Sequence, residues 1–180
     1  MNCDPSLTRY ICFPKFLDDE KIQKARFFGI INPIVRKHSE GYELDFRFQD
    51  ESGITELSVI LGTTNINRVE DDFSHLRTGE ILSKATAMIK EERYWESHNL
   101  LEELWKRNTG AKKKLIHDII GIIVSQVKVQ MDQWDVGKRV YERSYSQLNL
   151  TQGDAIMRLL PQNFAYPLKF SLETLDPILE

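Results

Sequence analysis

Between residues 94 and 105 the chain reads YWESHNLLEELW, and this stretch carries the side chains with most to offer chemically. His98 and Glu102 are four positions apart, so on a helix their side chains can meet. At about 100° per residue, Trp105 falls beside them, with Tyr94 and Leu101 to one side and Trp95 to the other. An imidazole and a carboxylate among aromatic rings are expected to be partly buried, and a buried charge is costly unless it is paired.

Three chemistries are open to such a pair. It can be a structural polar contact that fixes helix register. It can begin a divalent-metal site, with His98 and Glu102 as ligands, although two ligands fall short of the usual three or four. It can also serve acid–base chemistry of a hydrolase-like kind, with His98 as the proton carrier, Glu102 as its orienter and Glu103 as a further carboxylate. Tyr94, Trp95, Trp105 and His117 are the candidate binding residues around it. His117 and Asp118 are expected on a solvent-facing polar stripe with Ser125, Lys128 and Asp132, and His38 and His75 in solvated loops.

No complete reaction motif accompanies these residues. The glycines are scattered, with neither a phosphate-binding loop nor a G-x-S-x-G elbow. Two cysteines, Cys3 and Cys12, are too few for a disulfide framework or a cysteine-based zinc site. No apolar run approaches the ~20 residues of a membrane span. The first residues lack a basic region followed by an apolar stretch, so a reduced, cytoplasmic protein is expected. Residues 66–105 carry nine acids and five bases, and residues 106–148 carry four acids and nine bases. The two stretches can neutralise each other within one bundle. Nucleic acid is therefore not expected as a partner, although Lys112–Lys114, Lys138 and Arg139 are the positions where it would bind.

The positioning elements follow from periodicity. Residues 1–65 read as an α+β subdomain, a small antiparallel sheet with one helix. Strands are expected at Arg9–Phe13, Pro33–Lys37, Tyr42–Phe48 and Ile54–Leu61, and the helix over residues 18–29. Tyr42, Leu44, Phe46 and Phe48 alternate with polar residues, which is the pattern of a strand with one buried face. Residues 78–161 read as a bundle of four or five helices. The longest carries Leu115, Ile116, Ile119, Ile120, Ile123, Val124, Val127 and Met131, a stripe wide enough for a central position. Asp135 is expected to cap the fourth helix, and Thr151 with Asp154 a short fifth. Tyr94, Ser97 and Leu100-Leu101 recur forty positions later as Trp134, Gly137 and Val140-Tyr141, the spacing of two helical hairpins. Residues 162–180 form an extended tail in which Phe164, Tyr166, Leu168, Phe170 and Leu172 alternate with other residues. This predicts an edge strand returning to the N-terminal sheet.

The segment Arg93–Trp105 resembles the signature of domain-of-unknown-function family 309, roughly R-Y-F-E-A-H-E-V-L-E-E-L-W, with matches at His98, Glu102, Glu103 and Trp105. Ile116–Gly121 is similar to the next helix of that family, roughly L-Q-G-L-I-Q, and departs from it at His117, Asp118 and Gly121. Asn99 stands where the family usually has Glu. The resemblance covers about residues 78–150 and implies a small helical bundle of unestablished activity. The resemblance leaves function open, and the hairpin repeat with the incomplete catalytic set favours a non-enzymatic module. Such a module would bind a small ligand, a protein partner or a second copy of the chain.

Overall fold

The computed structural model describes residues 7–69, 72–152, 157–158 and 160–179. Cys3 and the Thr151/Asp154 cap with its short fifth helix lie outside what can be described. The chain divides into two compact units, residues 1–71 and 72–180. Among the described residues no helix is long and apolar enough to cross a membrane.

The first unit holds β1 (Thr8–Cys12), α1 (Asp19–Phe28), β2 (Ile31–His38), β3 (Gly41–Phe48), α2 (Ile54–Leu61) and β4 (Ile66–Arg68). The four strands form one antiparallel sheet in the order β2-β3-β1-β4, with Tyr10 opposite Phe46 and Cys12 opposite Leu44. The Asp18 carboxylate accepts from Lys21 N–H at 2.8 Å and caps α1. Gly29 ends that helix in the left-handed region, φ 117°, where a side chain would be strained.

The expected strand over Ile54–Leu61 is instead the helix α2. Its β-branched residues favour a strand, but a short apolar run does not fix its own period. Leu57 and Leu61, four apart, both enter the core, and Gly62 at φ 67° stops the helix. The sheet takes its last strand from β4, a three-residue segment whose pattern is too short to read.

Leu44, Phe46 and Phe48 pack with Tyr10, Cys12, Ala25, Leu57 and Leu61. The expectation of one buried face on β3 is only half of the result, because Glu43 and Asp45 on the opposite face are buried too. Arg9 makes two bonds to Asp45, at 3.0 and 2.7 Å. The buried Arg36 guanidinium bonds Glu43 and lies 3.3 Å from Asp45. His38 is not solvated as expected: its Nε2 lies 3.3 Å from Glu43 Oε2, at the end of β2. The Cys12 thiol is free and buried, and burial raises its pKa to about 12.

The second unit contains α3 (Thr78–Lys90), α4 (Tyr94–Arg107), α5 (Gly110–Gln130), α6 (Trp134–Gln152) and a final helical turn α7 (Asp176–Leu179). Helices α3 to α6 pack consecutively on one another through short turns, as in a bundle, and α7 packs against α3. The forty-residue repeat is reproduced bond for bond. Arg93 N–H donates to Met88 O at 2.9 Å, and Gln133 N–H to Lys128 O at 2.8 Å. The central turn residues, Glu92 and Asp132, both have positive φ, 62° and 59°. Beyond each turn a small residue permits close approach: Ser97 donates to Ala85 O at 3.3 Å, and a Cβ on Gly137 would lie 2.6 Å from Ser125 O.

Four further expectations are corrected here. α6 begins at Trp134, so Asp135 sits in its first turn, where a negative charge suits the helix dipole, and is not the cap. The stripe on α5 is not wholly solvent-facing, because Asp118 and Ser125 are buried. Asp118 is satisfied by Lys114 at 3.2 Å, and Ser125 donates to Ile122 O at 2.5 Å. Met131, expected on the apolar stripe of the same helix, is exposed just past its end. The tail forms no strand among the described residues, and the sheet ends at its four strands. Leu168, Phe170 and Leu172 alternate as expected but enter the core of the helical unit, whose helices supply the partners for the tail's backbone.

Removing one partner from a buried ion network leaves the others unpaired in a dry environment. Glu43→Ala is therefore expected to destabilise the first unit by about 3–5 kcal/mol, since it takes the nearer carboxylate from the buried Arg36 and leaves only the 3.3 Å contact with Asp45. Urea unfolding of the two proteins checks this, and an unchanged midpoint refutes it.

Candidate functional site

Helix α4 carries the sequence-predicted residues on separate faces. His98 Nε2 and Glu102 Oε1 are 3.4 Å apart, so the expected pair forms. It lies at the margin of the unit: the His98 side chain is 13% exposed and that of Glu102 46%. The Trp95 ring lies 5.0 Å from the imidazole, and His98 Nδ1 is buried without a hydrogen bond. Burial lowers the His98 pKa below its ordinary value of 6.5, against the opposing pull of Glu102. The neutral imidazole is therefore the form favoured at neutral pH, with one ring nitrogen facing a carboxylate.

The other predicted residues go elsewhere. Glu103 binds Arg107 at 3.1 Å, and Arg107 in turn donates to Leu76 O and Phe73 O at 2.6 and 2.8 Å. Glu103 thus holds a strap on the segment before α3, apart from His98. His117 is exposed, with Nδ1 3.3 Å from Asp118. Trp105 lies under the Lys113 ammonium, 4.0 Å from its ring centre. Among the described residues, no three His, Cys, Asp or Glu side chains converge to hold a metal ion. The basic run is engaged locally: Lys112 donates to Leu179 O at 3.1 Å, and Lys114 pairs with Asp118.

Tyr94 is fully buried, and its hydroxyl marks the most organised polar site of this unit. It donates to Leu168 O at 2.9 Å and accepts from Leu168 N–H at 3.0 Å. Gln126 Oε1 also accepts from Leu168 N–H, at 3.2 Å. Four residues on, Leu172 N–H donates to Thr86 Oγ1 at 2.9 Å. Tyr166 donates to Glu92 Oε2 at 2.8 Å, and Gln130 holds the Glu92 carbonyl at 2.7 Å. Burial raises the Tyr94 pKa, and burial with the Glu92 bond raises that of Tyr166, so both phenols remain protonated donors.

Helices α3, α4 and α5 therefore form a groove whose floor accepts apolar side chains and whose polar groups address an extended backbone. Leu168, Phe170 and Leu172 point inward, while Pro167 and Lys169 remain exposed. Thr86, Glu92, Gln126 and Gln130 were not singled out in the sequence. Gln126 and Gln130, a four-residue step within the apolar run of α5, were the available signal.

Two measurements follow. Tyr94→Phe removes both bonds to Leu168 and leaves its buried carbonyl unsatisfied, which should cost about 1–3 kcal/mol in denaturant unfolding. His98 acts through pH. Its lowered folded-state pKa means that the unfolded chain takes up a proton first as pH falls below 6.5. Stability is then lost with acid until the folded state protonates as well. His98→Asn should flatten the stability–pH curve below about 6.5, and curves of equal slope would refute this.

Comparison with curated proteins and with solved structures found no match. One family model does match: residues 82–140 of this chain are similar to DUF309, a domain of unknown function.

Proposed function

We propose that the second unit is a non-enzymatic protein-binding module, which reads an extended polypeptide segment in the groove of α3, α4 and α5. The observation that carries this reading is the Tyr94 hydroxyl, which bonds both the N–H and the C=O of Leu168. A phenol that pairs with both polar groups of one residue recognises extended backbone whatever the side chain. Alternate apolar side chains then fill the floor, much as strand addition combines backbone bonds with side-chain pockets.

The boundaries of the family match support it. Thr86, Glu92, Tyr94, Gln126 and Gln130 all fall within residues 82–140, whereas the bound segment 164–172 lies outside. The groove residues thus lie within the part of the chain that the family model matches, and the segment that fills the groove lies beyond it. The tail is the resident ligand, and a partner presenting the same alternation of apolar residues would compete for its place.

The test uses a labelled peptide spanning residues 162–174. Wild-type protein, with its groove filled, should not bind it. A Leu168→Asp/Phe170→Asp variant, with its own tail expelled, should bind it, and adding Tyr94→Phe should weaken that binding by about tenfold. A tail-expelled variant that keeps its helical circular dichroism yet ignores the peptide would overturn the proposal.

A further inference from the structure

The tail does not stop at the Tyr94 hydroxyl. After Leu172 it turns through Glu173–Leu175 and ends in α7, and Leu175 and Leu179 join the same core as Leu168 and Phe170. Two acids, Glu173 and Asp176, stand between these apolar anchors, and both meet α3. The Asp176 carboxylate lies against the first turn of that helix, where a Cβ on Gly79 would be 2.8 Å from Oδ2 and 3.3 Å from Oδ1. Ser83, four residues further along α3, donates from Oγ to Glu173 Oε1 at 3.2 Å. Lys112, in the first turn of α5, donates to Leu179 O at 3.1 Å.

We infer that the groove takes an acidic segment: alternate apolar residues, followed by carboxylates five and eight positions after the residue held by Tyr94. This rests on the reading of α3, α4 and α5 as a groove for an extended polypeptide, and it adds the charge and the direction of that polypeptide.

Direction comes from the order of the contacts. They step backwards along α3, from Thr86 with Leu172, to Ser83 with Glu173, to Gly79 with Asp176. The segment therefore runs antiparallel to α3, and its acids arrive at the positive end of the helix dipole. The reverse direction would carry them to the negative end. The first turn of α5 reaches the same part of the tail, so two helix N-termini and the Lys112 ammonium serve it together. The acid that α3 itself carries there, Glu80, is turned back onto Arg77, 2.9 Å from its N–H and 3.3 Å from its Nε.

Two details select a carboxylate at the Asp176 position. Its Oδ1 is buried with no hydrogen-bond partner among the described residues. Such an oxygen is costly unless the surrounding field favours negative charge, which the start of α3 supplies. The space is also made by a glycine, a poor helix former, whose missing side chain is the room the carboxylate occupies.

The experiment titrates two labelled peptides, residues 162–180 unaltered and the same segment with Glu173→Gln and Asp176→Asn. The receptor is the full chain carrying Leu168→Asp, Phe170→Asp, Leu175→Ser and Leu179→Ser, which expel its own tail. The acidic peptide should bind about fivefold more tightly, and high salt should narrow the difference. Gly79→Ala in the receptor should weaken the acidic peptide and leave a peptide ending at residue 174 unchanged. Equal affinity of the acidic and neutral peptides would overturn the inference and leave the groove standing. Failure of both, in a receptor that keeps its helical circular dichroism, would overturn it together with the groove. The otherwise unaltered chain gives an independent reading that needs no expelled tail. There Glu173→Gln with Asp176→Asn should speed hydrogen exchange at the Leu172 amide by about fivefold, and an unchanged rate would refute the inference.

Discussion

An extended backbone laid against a helical bundle brings polar groups that no helix can satisfy, because helical N–H and C=O groups bond one another. Buried without partners, each would cost on the order of 1–3 kcal/mol. In this chain the partners come from side chains on three different helices, Tyr94, Gln126 and Thr86. Much of the second unit follows from that requirement. α5 carries glutamines inside an otherwise apolar run, α4 begins with a buried tyrosine, and the Glu92 turn is held open by Gln130 so that its carboxylate meets Tyr166.

The helical hairpins put those groups in register. The same left-handed turn residue, the same backbone bonds and the same small residue beyond the turn occur twice, at Glu92/Ser97 and Asp132/Gly137. The two turns are used differently. The first bears the carboxylate that holds the tail, while the second leads directly into Trp134, whose ring packs against Phe164. A duplicated scaffold with divergent side chains is an economical way to place two unlike contacts on one bundle.

The first unit solves the same problem with charges. A strand whose two faces are both buried must pair its polar residues, and β3 does so by setting Glu43 and Asp45 against Arg9, Arg36 and His38. Arg36 is the centre, shared between two carboxylates from one strand. Such a network contributes less to net stability than to specificity, since any shift of register would leave a buried charge unpaired.

Periodicity determined α3 to α6 of the second unit, the first helix, and the strands β2 and β3. These features are local, and each segment carries its own pattern. The i,i+4 contact of His98 and Glu102 was legible for the same reason. What the sequence left open was decided between segments. Ile54–Leu61 became a helix because Leu57 and Leu61 found a core that accepts a four-residue step. The tail's alternation showed that one side is buried but neither the surface that receives it nor its helical end at Asp176–Leu179, since period two states only that one side is buried. The groove itself draws one residue each from α3 and α4 and two from α5. Side chains that share no periodicity in the sequence become neighbours only when those helices pack.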